Sequence, residues 1–263
     1  MTKAKRPSRS ASRRPRPLAH AASRADRPRI TTVIFDLDDT LYDCLAQRVH
    51  AAHSRAAEAL AAAGVPASAE DILTIRMQAF MEDPQLTRID PRVLDHFGVP
   101  VAEREKLVRI ARHAFFTLPV EKLALFPGTL PVLRGLKKRG VRIFLVSFGD
   151  PGIQHDKVIA LGLDREPSIE RVFYADTAHL VTKEAIFRTI LRQVEREPRR
   201  VLVVGDRPSS EIRAGKLLGM HTARVRGGEF SSLKPQGPEE QADFEISQID
   251  AVLNLPFEFG SNS

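Results

Sequence analysis

The sequence predicts an α/β fold in which parallel strands are covered by helices on both faces, with an all-helical block inserted near the start. Three observations lead there. Short apolar runs at Val33–Phe35, Val141–Val146, Val201–Val204 and Thr222–Val225 alternate with helical segments, the pattern of a parallel sheet. The stretch between residues 45 and 120 carries helix signals and no obvious strand. Several apolar runs end abruptly in polar residues, at the strand ends where open α/β sheets place ligands.

The chain of 263 residues is long enough for one large or two modest domains, and its 43% hydrophobic content suits a globular protein. Its net charge of +7 is misleading, because residues 1–29 hold two Lys and eight Arg against Asp26 alone, leaving the remainder slightly acidic. This Pro-, Ser- and Arg-rich tail has almost nothing to bury, so it is expected to be disordered. At most it makes weak, nonspecific contact with nucleic acid or another polyanion. No run of about 18 apolar residues exists, so no membrane span is expected. Cys44 is the single cysteine, which excludes an intrachain disulfide and makes a reducing cytoplasm the default compartment.

Val33-Ile34-Phe35 reads as a buried strand that runs into Asp36, Asp38, Asp39, Thr40 and Asp43. Carboxylates at a buried strand end must be solvated, paired or metal-bound. Extending strand alternation sends Asp36 and Asp38 to one side, where a cation such as Mg²⁺ would relieve their repulsion. One could then attack phosphorus while the other serves as acid and base. Beyond them, Leu45 to Ala63 is Ala-rich and stops at Gly64-Val65-Pro66. Ser68 to about Met81, Pro91 to Phe97 and Glu103 to Thr117 read as three more helices. The arginines at 76, 88, 92 and 112 either reach toward an anionic substrate or decorate solvated faces; His50 and His53 read as ordinary helix residues.

After Phe126-Pro127-Gly128, Thr129 is placed to cap a helix through Lys138, and the strand Val141–Val146 runs into Ser147, Phe148 and Gly149. A hydroxyl and free N–H groups at a strand-to-helix turn suit a phosphate oxygen. A helix near Ile153–Leu161 and a strand near Arg171–Tyr174 precede the helix Thr182–Glu195. Lys183 opens that helix, where the macrodipole disfavours a cation, so it calls for an anion. Lys157 is the rival, but it lies inside a helix rather than at its mouth. Val201–Val204 ends in Gly205 and Asp206, with Glu211 in the opening of the next helix. Asp206 supplies a further hard oxygen ligand if the sheet order brings it beside the acidic strand end. A weak strand near Phe244 and a short helix close the chain.

These residues resemble the haloacid dehalogenase-like (HAD) hydrolase superfamily, in its phosphatase branch. The D-x-D-x-T motif is matched by Asp36, Asp38 and Thr40, the hydroxyl by Ser147, the lysine by Lys183, and G-D-x-x-x-x-[DE] by Gly205, Asp206 and Glu211. The resemblance implies a Rossmannoid three-layer core at 30–43 and 123–263 and a helical cap at 44–122. It further implies Mg²⁺ as cofactor, held by Asp36, Asp206 and the backbone carbonyl of Asp38. Asp36 is then the nucleophile and Asp38 the acid/base. Thr40, Ser147 and Lys183 serve the phosphoryl group, and Glu211 assists from behind the ligands. Phe148 stands where members often carry Asn, and Glu211 where many carry Asp. True dehalogenases lack the second aspartate of the first motif, so Asp38 argues for hydrolysis of a small phosphate monoester. Phosphomutase chemistry on the same acids, or polyanion binding through the tail, are the alternative expectations; neither oligomeric state nor substrate is legible.

Overall fold

The structure, a computed structural model, describes residues 27–83, 86–176, 179–195 and 197–260. Most of the tail, with its expected disorder, lies outside the described residues. Its last residue does not: Arg29 begins strand β1 (Arg29–Ile30), which pairs in parallel with a strand near the other end of the chain, and its guanidinium meets Glu258 at 3.0 Å.

Strand β2 (Thr32–Phe35) leads through a π-helical turn at Leu45–Val49 into four helices, α1 (His50–Ala62), α2 (Ala69–Glu82), α3 (Leu86–His96) and α4 (Val101–Phe116). They close around their own core, with Leu60, Ile72, Phe80, Val93 and Leu107 all buried. Burying such a side chain contributes about 1.5–3 kcal/mol. Ser68 caps α2 by accepting from the N–H of Asp71. Helix α3 starts before Pro91, where the sequence suggested it would begin. Ile89 and Asp90 are buried, the latter against Arg76, and this packing holds the preceding turn in the helix despite the proline.

The chain then alternates through α5 (Thr129–Lys138), β3 (Arg142–Phe148), α6 (Pro151–Ala160), β4 (Arg171–Ala175), α7 (Lys183–Val194), β5 (Val201–Gly205), α8 (Arg213–Leu217), β6 (His221–Val225) and β7 (Phe244–Ile246), ending in β8 (Glu258–Phe259). Thr129 does not cap α5. Its hydroxyl donates to the carbonyl of Leu41 at 2.8 Å and Gly128 takes the cap position. The last helical segment, Ile249–Asn254, is 3₁₀.

Six strands form one sheet in the order β4-β3-β2-β5-β6-β7, and every neighbouring pair is parallel. Both faces are covered. Val33, Phe35, Leu202 and Val204 pack with α5 and α6 side chains such as Leu133 and Val158. Ile34, Val201 and Val203, which alternate with them, pack with Ile186, Phe187 and Ile190 of α7. The expected three-layer α/β core with an all-helical cap is therefore the observed architecture. From β2 the chain builds outward to β3 and β4, then returns across the sheet to β5. This reversal makes the carboxyl ends of β2 and β5 a topological switch point, and Phe35 is in register with Val204 there.

Candidate active site

At that switch point Asp36 follows β2 and Asp206 follows β5, and the N–H of Asp36 donates to the carbonyl of Val204 at 2.9 Å. Glu211 joins them from a π-helical turn at Pro208–Ile212. Carboxylate oxygens of Asp36, Asp206 and Glu211 all lie within 4.8 Å of one another, and all three residues are buried. Gly205 makes room for this approach: a Cβ there would come within 2.3 Å of the Glu211 side chain.

Lys183 answers part of this negative charge. Its ammonium, at the start of α7, donates to Asp36 and, at 2.8 Å, to Glu211. Burial works against its charge, but the two carboxylates outweigh it and raise its pKa. Burial also opposes ionisation of Glu211, yet Lys183 and the N–H of Arg207, 2.5 Å away, hold its pKa below the ordinary value. Asp36 goes the other way, pushed up to about 7 chiefly by burial, with Lys183 only partly compensating. Asp206 rises well above the carboxylate range because burial and the neighbouring Glu211 and Asp36 all disfavour its charge. One Asp206 oxygen, Oδ2, is buried without a hydrogen-bond partner among the described residues. Three buried carboxylates, one lysine and an orphaned acceptor fit a hard cation with oxygen ligands.

The Asp38 side chain does not join this cluster, contrary to the strand-alternation reading. Strand β2 ends at Phe35, so its alternation does not extend to residue 38. Asp38 instead faces α6. Lys157 donates to both its carboxylate oxygens at 2.9 and 2.8 Å, Gln154 at 3.2 Å, and the Tyr42 hydroxyl at 2.7 Å. Burial raises the Asp38 pKa, but Lys157 and Tyr42 overcome it, so the carboxyl is held below its usual range. The choice between Lys157 and Lys183 thus dissolves, since each serves one of the paired aspartates.

Ser147 is fully buried and donates to Gln154 at 2.8 Å, which links the β3 hydroxyl to Asp38 through one amide. Thr40 is also fully buried, and its hydroxyl has no hydrogen-bond partner among the described residues. Asp39, with φ at 53°, accepts from the N–H groups of Leu45 and Glu229 and fixes the loop after β2. Phe148 is 39% exposed at the end of β3. Cys44 is buried with its sulfur 3.9 Å from the Lys157 ammonium, a packing position as expected.

The sequence reading missed Gln154 and Tyr42 as partners of Asp38 and ranked Lys157 second. Their spacing from α6 to the acidic loop was visible only as a helix period, with Gln154 and Lys157 three residues apart on one face. Of the cap arginines named from the sequence, Arg76 is buried against Asp90, Arg88 and Arg92 pair with Asp83 and Glu82, and Arg112 lies over the Phe116 ring. His53 packs between the rings of Phe80 and Phe115.

Comparison with known proteins supports the same reading. Glyceraldehyde 3-phosphate phosphatase of Methanopyrus kandleri is 27% identical over 229 residues, covering 86% of this chain and 97% of the relative. Phosphoserine phosphatase of Thermus thermophilus is 25% identical over 156 residues, covering 59% of this chain and 58% of the relative. The crystal structure of a predicted phosphoglycolate phosphatase from Haemophilus somnus shares the fold, with a TM-score of 0.63 at 18% identity, covering 86% of this chain and 97% of that one. A family model for haloacid dehalogenase-like hydrolases matches residues 30–219. That span runs from β2 through the helical cap to α8, with Asp36, Lys183, Asp206 and Glu211 all inside it, and the chain belongs to the haloacid dehalogenase-like hydrolases.

Proposed function

We propose that the protein is a Mg²⁺-dependent phosphatase that hydrolyses a small phosphate monoester through an aspartyl-phosphate on Asp36. The observation that carries this reading is the cluster of Asp36, Asp206 and Glu211, three buried carboxyl groups against the one ammonium of Lys183. Asp36, Asp206 and the loop at Asp38 would hold Mg²⁺, which when bound neutralises phosphate oxygens and the attacking carboxylate. Two relatives named as phosphatases of small metabolites, each matched over more than half its length, agree with it.

In the first half-reaction an Asp36 oxygen attacks phosphorus, the bond to the ester oxygen breaks, and that oxygen takes a proton from the protonated form of Asp38, a minor form because Lys157 and Tyr42 favour the carboxylate. In the second, Asp38 removes a proton from water, the water oxygen attacks phosphorus, and Asp36 is released as carboxylate. Lys157 and Tyr42 favour the ionised Asp38 needed for the second step. Lys183 and Ser147 serve the transferring phosphoryl group, where positioning and charge neutralisation supply most of the catalysis. Asp39 steadies the acidic loop through the N–H groups of Leu45 and Glu229, the buried Thr40 hydroxyl stands beside it, and Glu211 holds Lys183 in place.

Phosphate release from a panel of small phosphate esters, with Mg²⁺ or with a chelator and in the parent and Asp36→Asn, tests the reading. Turnover that survives chelation or the substitution would overturn it, as would a folded parent that hydrolyses nothing in the panel.

A further inference from the structure

We propose that Arg48 binds a carboxylate on the leaving group, so that the protein takes small phosphorylated hydroxy acids in preference to neutral phosphates of equal length. The proposal rests on the phosphatase reading above and names the substrate class of that site. The leaving group must project from Asp38, whose carboxylate is held by Lys157 and Gln154. Both these side chains line a cavity of about 150 Å³ between core and cap, closed on the cap side by Ala52, Phe115 and Phe116 and at the junction by Arg48. Ligand pockets for larger molecules run from about 300 Å³ upward, so this space suits a leaving group of a few carbons.

The charges in the cavity differ in one respect. Lys157 is neutralised by Asp38 at 2.8 Å. Arg48 is only 8% exposed, and its guanidinium donates to the carbonyls of Pro119 and Leu118 at 2.6 and 3.2 Å. Those bonds orient the group without cancelling its charge. No carboxylate among the described residues forms an ion pair with it; Asp150 on the rim is exposed and caps α6 through the N–H of Ile153. Arg224 is another buried arginine bonded to carbonyls; burial and the nearby Arg226 lower its pKa, with Glu245, Asp206 and Glu211 only partly offsetting them. A buried cation without a counter-charge is costly, and a guanidinium presents a planar fork that matches a carboxylate. The π-helical turn that carries Arg48 is a local irregularity of the kind found at functional sites.

The test compares kcat/KM for 3-phosphoglycerate and glyceraldehyde 3-phosphate, which differ as carboxylate against aldehyde, with p-nitrophenyl phosphate as a general phosphatase substrate. The parent should favour the acid, and Arg48→Gln should lower the acid-to-aldehyde ratio on the order of 10- to 100-fold, mainly through KM. Hydrolysis of p-nitrophenyl phosphate without preference for the acid overturns this inference and leaves the phosphatase reading intact. Absence of all hydrolysis defeats the phosphatase reading. In parallel, calorimetry on the parent compares D-glycerate with glycerol, independently of turnover and of whether the variant folds. Tighter binding of glycerate supports the inference, and equal or absent binding of the two overturns it.

Discussion

Two regions of this molecule bury charged groups, and they do so in opposite ways. In the cap, Arg76 and Asp90 are 1% and 2% exposed and answer each other, and His53 is buried among aromatic rings. At the switch point, the three carboxylates of Asp36, Asp206 and Glu211 face the one ammonium of Lys183. A buried pair with matched charges needs no further ion; a cluster with unmatched carboxylates does. The same type of residue therefore marks architecture in one place and ligand chemistry in the other, and the count of opposing charges separates them.

The largest effect should come from the unbalanced region. Asp36→Asn should lower turnover by on the order of 10³-fold or more, measured as phosphate release, while thermal melting shows the fold intact because one crowded carboxylate has been removed. In the cap the signs reverse. Asp90→Ala leaves Arg76 buried and alone and should cost about 3–5 kcal/mol in urea denaturation, whereas Arg76→Met with Asp90→Leu should recover most of that. If the single substitution proves harmless, the cap pair is not the structural element described.

Mg²⁺ sharpens the contrast further. At about 100 times its dissociation constant it should stabilise the parent by about 2.7 kcal/mol, read as a rise in melting temperature. Asp206→Asn should lose this rise, and the paired cap substitutions should keep it. A parent whose melting ignores Mg²⁺ would break the comparison.

The smallest effect concerns His53. Burial, with Arg76 nearby, lowers its pKa to about 3 from 6.5, so between those values the unfolded chain binds more protons. Its contribution is thus complete above about pH 6.5 and is lost as pH falls, by up to about 2 kcal/mol at pH 5. His53→Leu should remove that loss, seen as a parent-minus-variant stability difference that turns against the parent between pH 7 and pH 5.

Much of this was legible in the sequence, for a physical reason. Strands buried on both faces read as continuous apolar runs, so β2, β3 and β5 and the polar residues at their ends were visible. The helices expected to start at Ser68 and Thr182 do start there, each residue capping its helix, whereas the cap expected of Thr129 falls to Gly128. What escaped was whatever tertiary contact decides. Asp38 turns toward α6 because the strand stops short of it, and Glu211 comes into the cluster because a π turn and Gly205 let it approach. Lys157 and Gln154 lie more than a hundred residues from the aspartate they hold, and no local pattern announces such a pairing. The β1–β8 pair is two residues long on each side, too short for any period to register.

The central position of β2 has a consequence for how the protein is made. It is the first strand of the main sheet to leave the ribosome, yet its partners begin at Arg142 and Val201, beyond the whole cap. At about 5–20 residues per second, the run Thr32–Phe35 waits roughly ten to thirty seconds for its second neighbour. The cap, whose contacts are nearer in sequence, can assemble during that interval. Nascent chains of this protein thus carry an unpaired apolar strand next to a folded helical bundle, the species on which a chaperone would act.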